Sequence, residues 1–105
     1  MEQPNLSYIE SMSGGDKAFE QKLIDIIQKE FPKEKEVYFS NINAGNFKEA
    51  AENVHKLKHK ISILGLVNSY DVAVDYENNL IDGNANRRED FESILQNMTD
   101  FLKTL

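Results

Sequence analysis

Both histidines of this chain, His55 and His59, fall within the six residues HKLKHK, interleaved with Lys56, Lys58 and Lys60. The chain as a whole is acidic, with a formal net charge of −6, yet this stretch holds three of its twelve lysine and arginine residues. An imidazole exposed on a rigid helix is a nucleophile suited to taking up a phosphoryl group. An ammonium beside it stabilises the charge the phosphate brings. At helical spacing His55, Lys58, His59 and Ser62 are three or four residues apart and share one surface. Lys58 lies nearer the core stripe, and Lys56 and Lys60 point more fully to water. A second chemistry is metal binding. Glu52-Asn53-Val54-His55 is an E-x-x-H unit of the kind di-iron bundles use, and His55 and His59 stand at the i, i+4 spacing that can chelate zinc. A di-iron site needs that unit twice, and no other histidine exists. A zinc site needs a third protein ligand, for which Glu52 is the candidate, and the three lysines oppose a cation. A third reading is a helical adaptor that binds a protein through the basic His55–Lys60 patch without chemistry. Its binding would survive His55→Gln.

The elements that position these residues follow from apolar residues recurring every three or four positions, the helical period, with no period-two alternation. Leu6, Ile9 and Met12 predict a short helix over 6–12, broken by Gly14-Gly15. Asp16 caps the next helix, which runs over 16–43 with Phe19, Leu23, Ile26, Ile27, Phe31, Val37, Tyr38 and Ile42, kinked at Pro32 because proline lacks the donor. A third helix over 46–64 carries Phe47, Ala50, Val54, Leu57, Ile61 and Leu64, capped by Asn46 and stopped at Gly65. A fourth over 67–82 carries Val67, Tyr70, Val74, Leu80 and Ile81, closed by Asp82-Gly83. The last, over 87–104, carries Phe91, Ile94, Leu95, Met98, Phe101 and Leu102. Phe19, Phe31, Phe47, Phe91 and Phe101 are core candidates. Glu77 falls on the inward-leaning side of the fourth helix, where a carboxylate needs a partner, and so is expected at a seam. Four long amphipathic helices with short connections predict an all-α, antiparallel four-helix bundle with a short extra N-terminal helix.

Composition narrows the function classes. At 105 residues the chain has the size of one domain, 1–105. Without cysteine it has no disulfide or thiolate metal site, which fits a reducing compartment. Its acidity argues against a general nucleic-acid binder. No apolar run approaches the ~20 residues of a bilayer span, and MEQPNLSYIE lacks the layout of a signal peptide. The expectation is a soluble, cytoplasmic monomer without direct membrane contact.

His55-Lys56-Leu57-Lys58, with Gly65 ten positions after the histidine, resembles the H-x-L-K-(x)6-G signature of histidine-containing phosphotransfer (HPt) domains. GGDKAFEQKLIDIIQKEF resembles the second helix of such domains, and NFKEAAENVHKLK their run-up to the active histidine. Glu77 falls where the family often has a Leu-Glu pair. The likeness spans Leu6 to Leu105. It implies a phosphorelay intermediate in which His55 accepts the phosphoryl group and Lys58 assists it. It also implies a docking surface around His59, Ser62, Lys56 and Lys60, with Gly65 and Glu77 in structural roles. Phosphate would pass between receiver-domain aspartates of a hybrid kinase and a response regulator. The receiver would supply the magnesium ion, and this chain no cofactor and no ATPase. Two positions depart from the pattern. His59 stands where the family has glycine, and Val54 precedes the histidine where a small residue is usual. The count to Gly65 favours His55 over His59 as acceptor.

Overall fold

Four glycine-marked breaks divide the sequence into five helical segments, and each break holds a glycine with positive φ: Gly14 and Gly15, Gly45, Gly65, and Gly83. The computed structural model describes residues 2–105 and is all-helical, with α1 Ser7–Ser13, α2 Lys17–Asn43, α3 Phe47–Ile63, α4 Val67–Ile81 and α5 Arg88–Leu102. These bounds lie within a residue or two of those expected from periodicity. No strand occurs among the described residues, and no helix of theirs is long and apolar enough to cross a membrane.

The Asp16 side chain accepts the Phe19 N–H at 3.1 Å and starts α2 as the sequence suggests. The helix then runs unbroken through Pro32, which is exposed and has no N–H to donate to the Gln28 carbonyl. Asn46 occupies the N-cap of α3, but its side chain makes no capping bond.

α3 packs against both α2 and α4, α5 packs on α4 and α2, and α1 lies on α2. The stripes of α3 and α5 are buried as their spacing requires: Ala50, Val54, Leu57 and Ile61 on one, Phe91, Ile94, Leu95 and Met98 on the other. The stripe of α4 differs from the expected one. Its buried residues are Ser69, Ala73, Tyr76 and Leu80, while Val67 and Ile81 are exposed. Apolar residues stand on several faces of this helix, and the small Ser69 and Ala73 mark the face that approaches its neighbours. Phe19 is also a correction: it is 41% exposed. It lies in the first turn of α2, and burial begins a turn later at Ile24.

One polar chain crosses the core. Tyr38 and Tyr76 are fully buried. Tyr38 Oη donates to Glu92 Oε2 at 2.8 Å, which leaves Tyr76 Oη to donate to Tyr38 at 2.6 Å. Arg88 Nε supports the same carboxylate at 2.7 Å. Burial, then the bonds to Tyr76 and Glu92, pushes the Tyr38 phenol far above its ordinary range. The pair is thus neutral, and it ties α2, α4 and α5 together.

The N-terminal residues form a strap over the α3–α4 turn. Glu2 accepts from Asn68 N–H at 3.0 Å and Ser69 N–H at 2.9 Å, capping α4 from a distance in sequence. Asn5 N–H donates to the Leu64 carbonyl at 2.9 Å. Gly65 stops α3 with φ 76°, and a Cβ there would lie 2.6 Å from the Asn5 side-chain amide, so the strap also requires glycine at this position. Burial raises the Glu2 carboxyl, but the N–H bonds from Asn68 and Ser69 outweigh it and leave it below its usual 4.5. A lowered folded value means stability that is present above the unfolded value and lost as pH falls through the folded one. Glu2→Gln therefore lowers stability at pH 7 by up to about 1 kcal/mol, the worth of a helix cap. The gap to wild type closes below pH 4.5. Thermal unfolding of the two proteins at neutral and acid pH checks both parts.

Candidate functional site

Val54, Leu57 and Ile61 are fully buried and set the rotation of α3 about its axis. One residue round from Val54, His55 emerges with 56% of its side chain exposed. Lys58 turns toward α4, and so meets Glu77. His55 Nδ1 lies 3.1 Å from Glu77 Oε2, and Lys58 Nζ lies 2.9 Å from Glu77 Oε1. A carboxylate only accepts, so the imidazole donates Nδ1–H and keeps its lone pair on Nε2. Glu77 thus uses one oxygen to hold the ring's tautomer and orientation and the other to hold Lys58. Lys58 is only 13% exposed and also sits over the Tyr70 ring, 5.7 Å from its centroid. Glu77, 17% exposed, sits bonded at the α3–α4 seam, in the kind of position expected for it.

The structure brings His59 to this cluster as well. Its ring stands edge-on to His55 at 5.2 Å between centroids and 71° between planes. Ser62 and Lys56 are exposed on the same stretch of α3. Lys60 is a correction. Expected in water beside the docking surface, it has a 12% exposed side chain between Glu30 Oε1 at 3.1 Å and Glu34 Oε2 at 3.0 Å. Five residues past His55 is about 140° round the helix, and that direction faces α2. Among the described residues no three histidine or carboxylate groups come together to hold a metal ion, so Glu52, His55 and His59 are not gathered as a ligand set.

An open groove of about 740 Å³ runs beside His55, with Ala51 and Ile81 among its lining and Lys48, Glu52, Lys56 and Glu77 along it. The HKLKHK stretch gives no sign of Lys48 or Ile81, which join the groove from elsewhere in the sequence. Lys48 stands seven residues, two turns, before His55, which places it on the same face. Ile81 closes the apolar run of α4 but is exposed, at the edge of the groove.

Chemically, the cluster offers a nucleophilic nitrogen on a rigid helix, held by a carboxylate whose charge is balanced by a lysine. Comparison of the chain with protein-family models, with curated proteins and with solved structures finds no match.

Proposed function

We propose that this chain is a phosphorelay intermediate of the histidine phosphotransfer kind, with α2 to α5 as its antiparallel four-helix bundle and His55 as its phosphoryl acceptor. One observation carries the reading: a half-exposed imidazole whose Nδ1–H is held by Glu77, leaving Nε2 as the nucleophile. In the step proposed, Nε2 attacks the phosphorus of a receiver's aspartyl phosphate. The N–P bond forms, the acyl P–O bond breaks and the aspartate carboxylate leaves. The imidazole ring gains positive charge, and the Glu77 carboxylate on Nδ1–H stabilises it. Transfer onward reverses the same bonds at a second receiver.

Receivers of a hybrid kinase and a response regulator are the partners in this reading, and the magnesium ion belongs to them. Lys48 and Lys56 along the groove favour an acidic partner and raise its rate of association more than its affinity. The reading needs no kinase or ATPase activity of this chain, and it sets the cytoplasm as the place of action.

The test is transfer from a panel of receiver domains carrying labelled phosphate. The expected result is label on this chain in an acid-labile, alkali-stable form, the behaviour of a phosphoramidate bond to histidine. A chain that binds receivers but takes no label from any of them sinks the relay and leaves the non-catalytic adaptor in its place.

A further inference from the structure

Lys58 is the cation that the sequence motif assigns to the phosphoryl group, but it is engaged elsewhere. It is held on Glu77 at 2.9 Å, over the Tyr70 ring, and is mostly out of water. Lys60 is held between Glu30 and Glu34 on the α2 side. Lys56 stands about 100° round the helix from His55. Within one turn of His55 on its own face, the remaining side chain able to donate is His59, whose ring is already 5.2 Å from that of His55, centroid to centroid. Helical side chains lean toward the N-terminus, so a residue at i+4 leans back over residue i. His59 is exposed. Its ring nitrogens make no hydrogen bond or ion pair among the described residues, so they are available.

We propose that His59 is the group that meets the phosphoryl on His55: a ring N–H of His59 donates to a phosphoryl oxygen on Nε2. Lys58 stays on Glu77 and acts through it, as a positioning residue. This assignment rests on His55 as the acceptor. It also gives a physical role to a residue that departs from the motif.

The test uses phosphoramidate as a small chemical donor, so that no receiver is needed. His55 Nε2 forms the bond to phosphorus as the P–N bond of the zwitterionic donor breaks and ammonia leaves, while the Nδ1 proton stays on the Glu77 hydrogen bond. Wild type, His59→Ala, His59→Gln and Lys58→Gln are compared, with circular dichroism confirming the helices. Loss of a charge-assisted hydrogen bond slows label uptake by His59→Ala about fivefold, and the amide donor of His59→Gln restores part of it. In wild type and in Lys58→Gln, phosphorylation brings a slowly exchanging His59 ring N–H into the ¹H–¹⁵N spectrum.

Uptake by His59→Ala at the wild-type rate, with no such N–H in wild type, overturns the inference alone. Wild-type protein unlabelled at His55 overturns the acceptor assignment and this inference together. Label from phosphoramidate but from no receiver overturns only the relay.

Discussion

His55→Gln takes up no phosphate from any phosphorylated receiver, and Glu77→Ala takes it up roughly 10- to 100-fold more slowly, the range for removing the outer partner that orients a metal-bound imidazole by its other nitrogen. The first result follows from chemistry alone, since an amide cannot replace the Nε2 lone pair. His55 is half-exposed and glutamine is a good helix former, so stability changes by less than about 0.5 kcal/mol. The second result separates position from identity. Without Glu77 the ring turns about its side-chain bonds, its tautomer is unspecified, and the charge developing on it has no counterion. Glu77→Ala also strands Lys58, a mostly buried cation whose remaining partner is the face of Tyr70. That costs about 1 kcal/mol or somewhat more of folding stability. Uptake is therefore measured well below the melting transition, with urea unfolding of each variant alongside. Wild-type speed in Glu77→Ala would remove the held imidazole from the mechanism.

The legibility of the sequence varied with how densely each helix carries its apolar stripe. α3 and α5 place apolar residues every three or four positions on one side and polar ones elsewhere, so their buried faces follow directly. The His55 patch followed from the same stripe, because Val54, Leu57 and Ile61 leave His55 only one way to point. α4 resisted because its inward face is made by the small Ser69 and Ala73 and by Tyr76 with its phenol hydroxyl. That hydroxyl is neutralised by a partner 38 residues away in sequence, and periodicity carries no such information. The strap was hidden for the same reason. Glu2 reads as an N-terminal surface charge until α4 is folded and offers its free N–H groups.

Lys60 is where the sequence reading and the structure part most, and its replacement decides between them. From the sequence it belongs with Lys56 as solvated charge near the docking surface. In the structure it is clamped between two glutamates one turn apart on α2. One oxygen of Glu34 is buried and has no hydrogen-bond partner, so that carboxylate depends on the lysine for its compensation. Burial lowers the ammonium's proton affinity, but the bonds to Glu34 and Glu30 outweigh it and hold Lys60 above the ordinary lysine range. A raised folded value gives stability that is complete below the unfolded value, ~10.4, and lost as pH rises through the folded one. Lys60→Met leaves two carboxylates facing each other beside an apolar side chain. The expected loss at pH 7 is about 2 kcal/mol, below the range for a fully buried pair because Glu30 is half in water. In equilibrium unfolding the deficit holds through neutral pH and shrinks above ~10.4. Replacing the partner as well, Lys60→Met with Glu34→Leu, recovers most of the loss, since an apolar pair needs no compensation. Phosphoryl uptake at His55 stays at the wild-type rate in both variants, because Lys60 faces α2 and not the groove. Slowed uptake with unchanged stability would return Lys60 to the docking surface, where its sequence position first placed it.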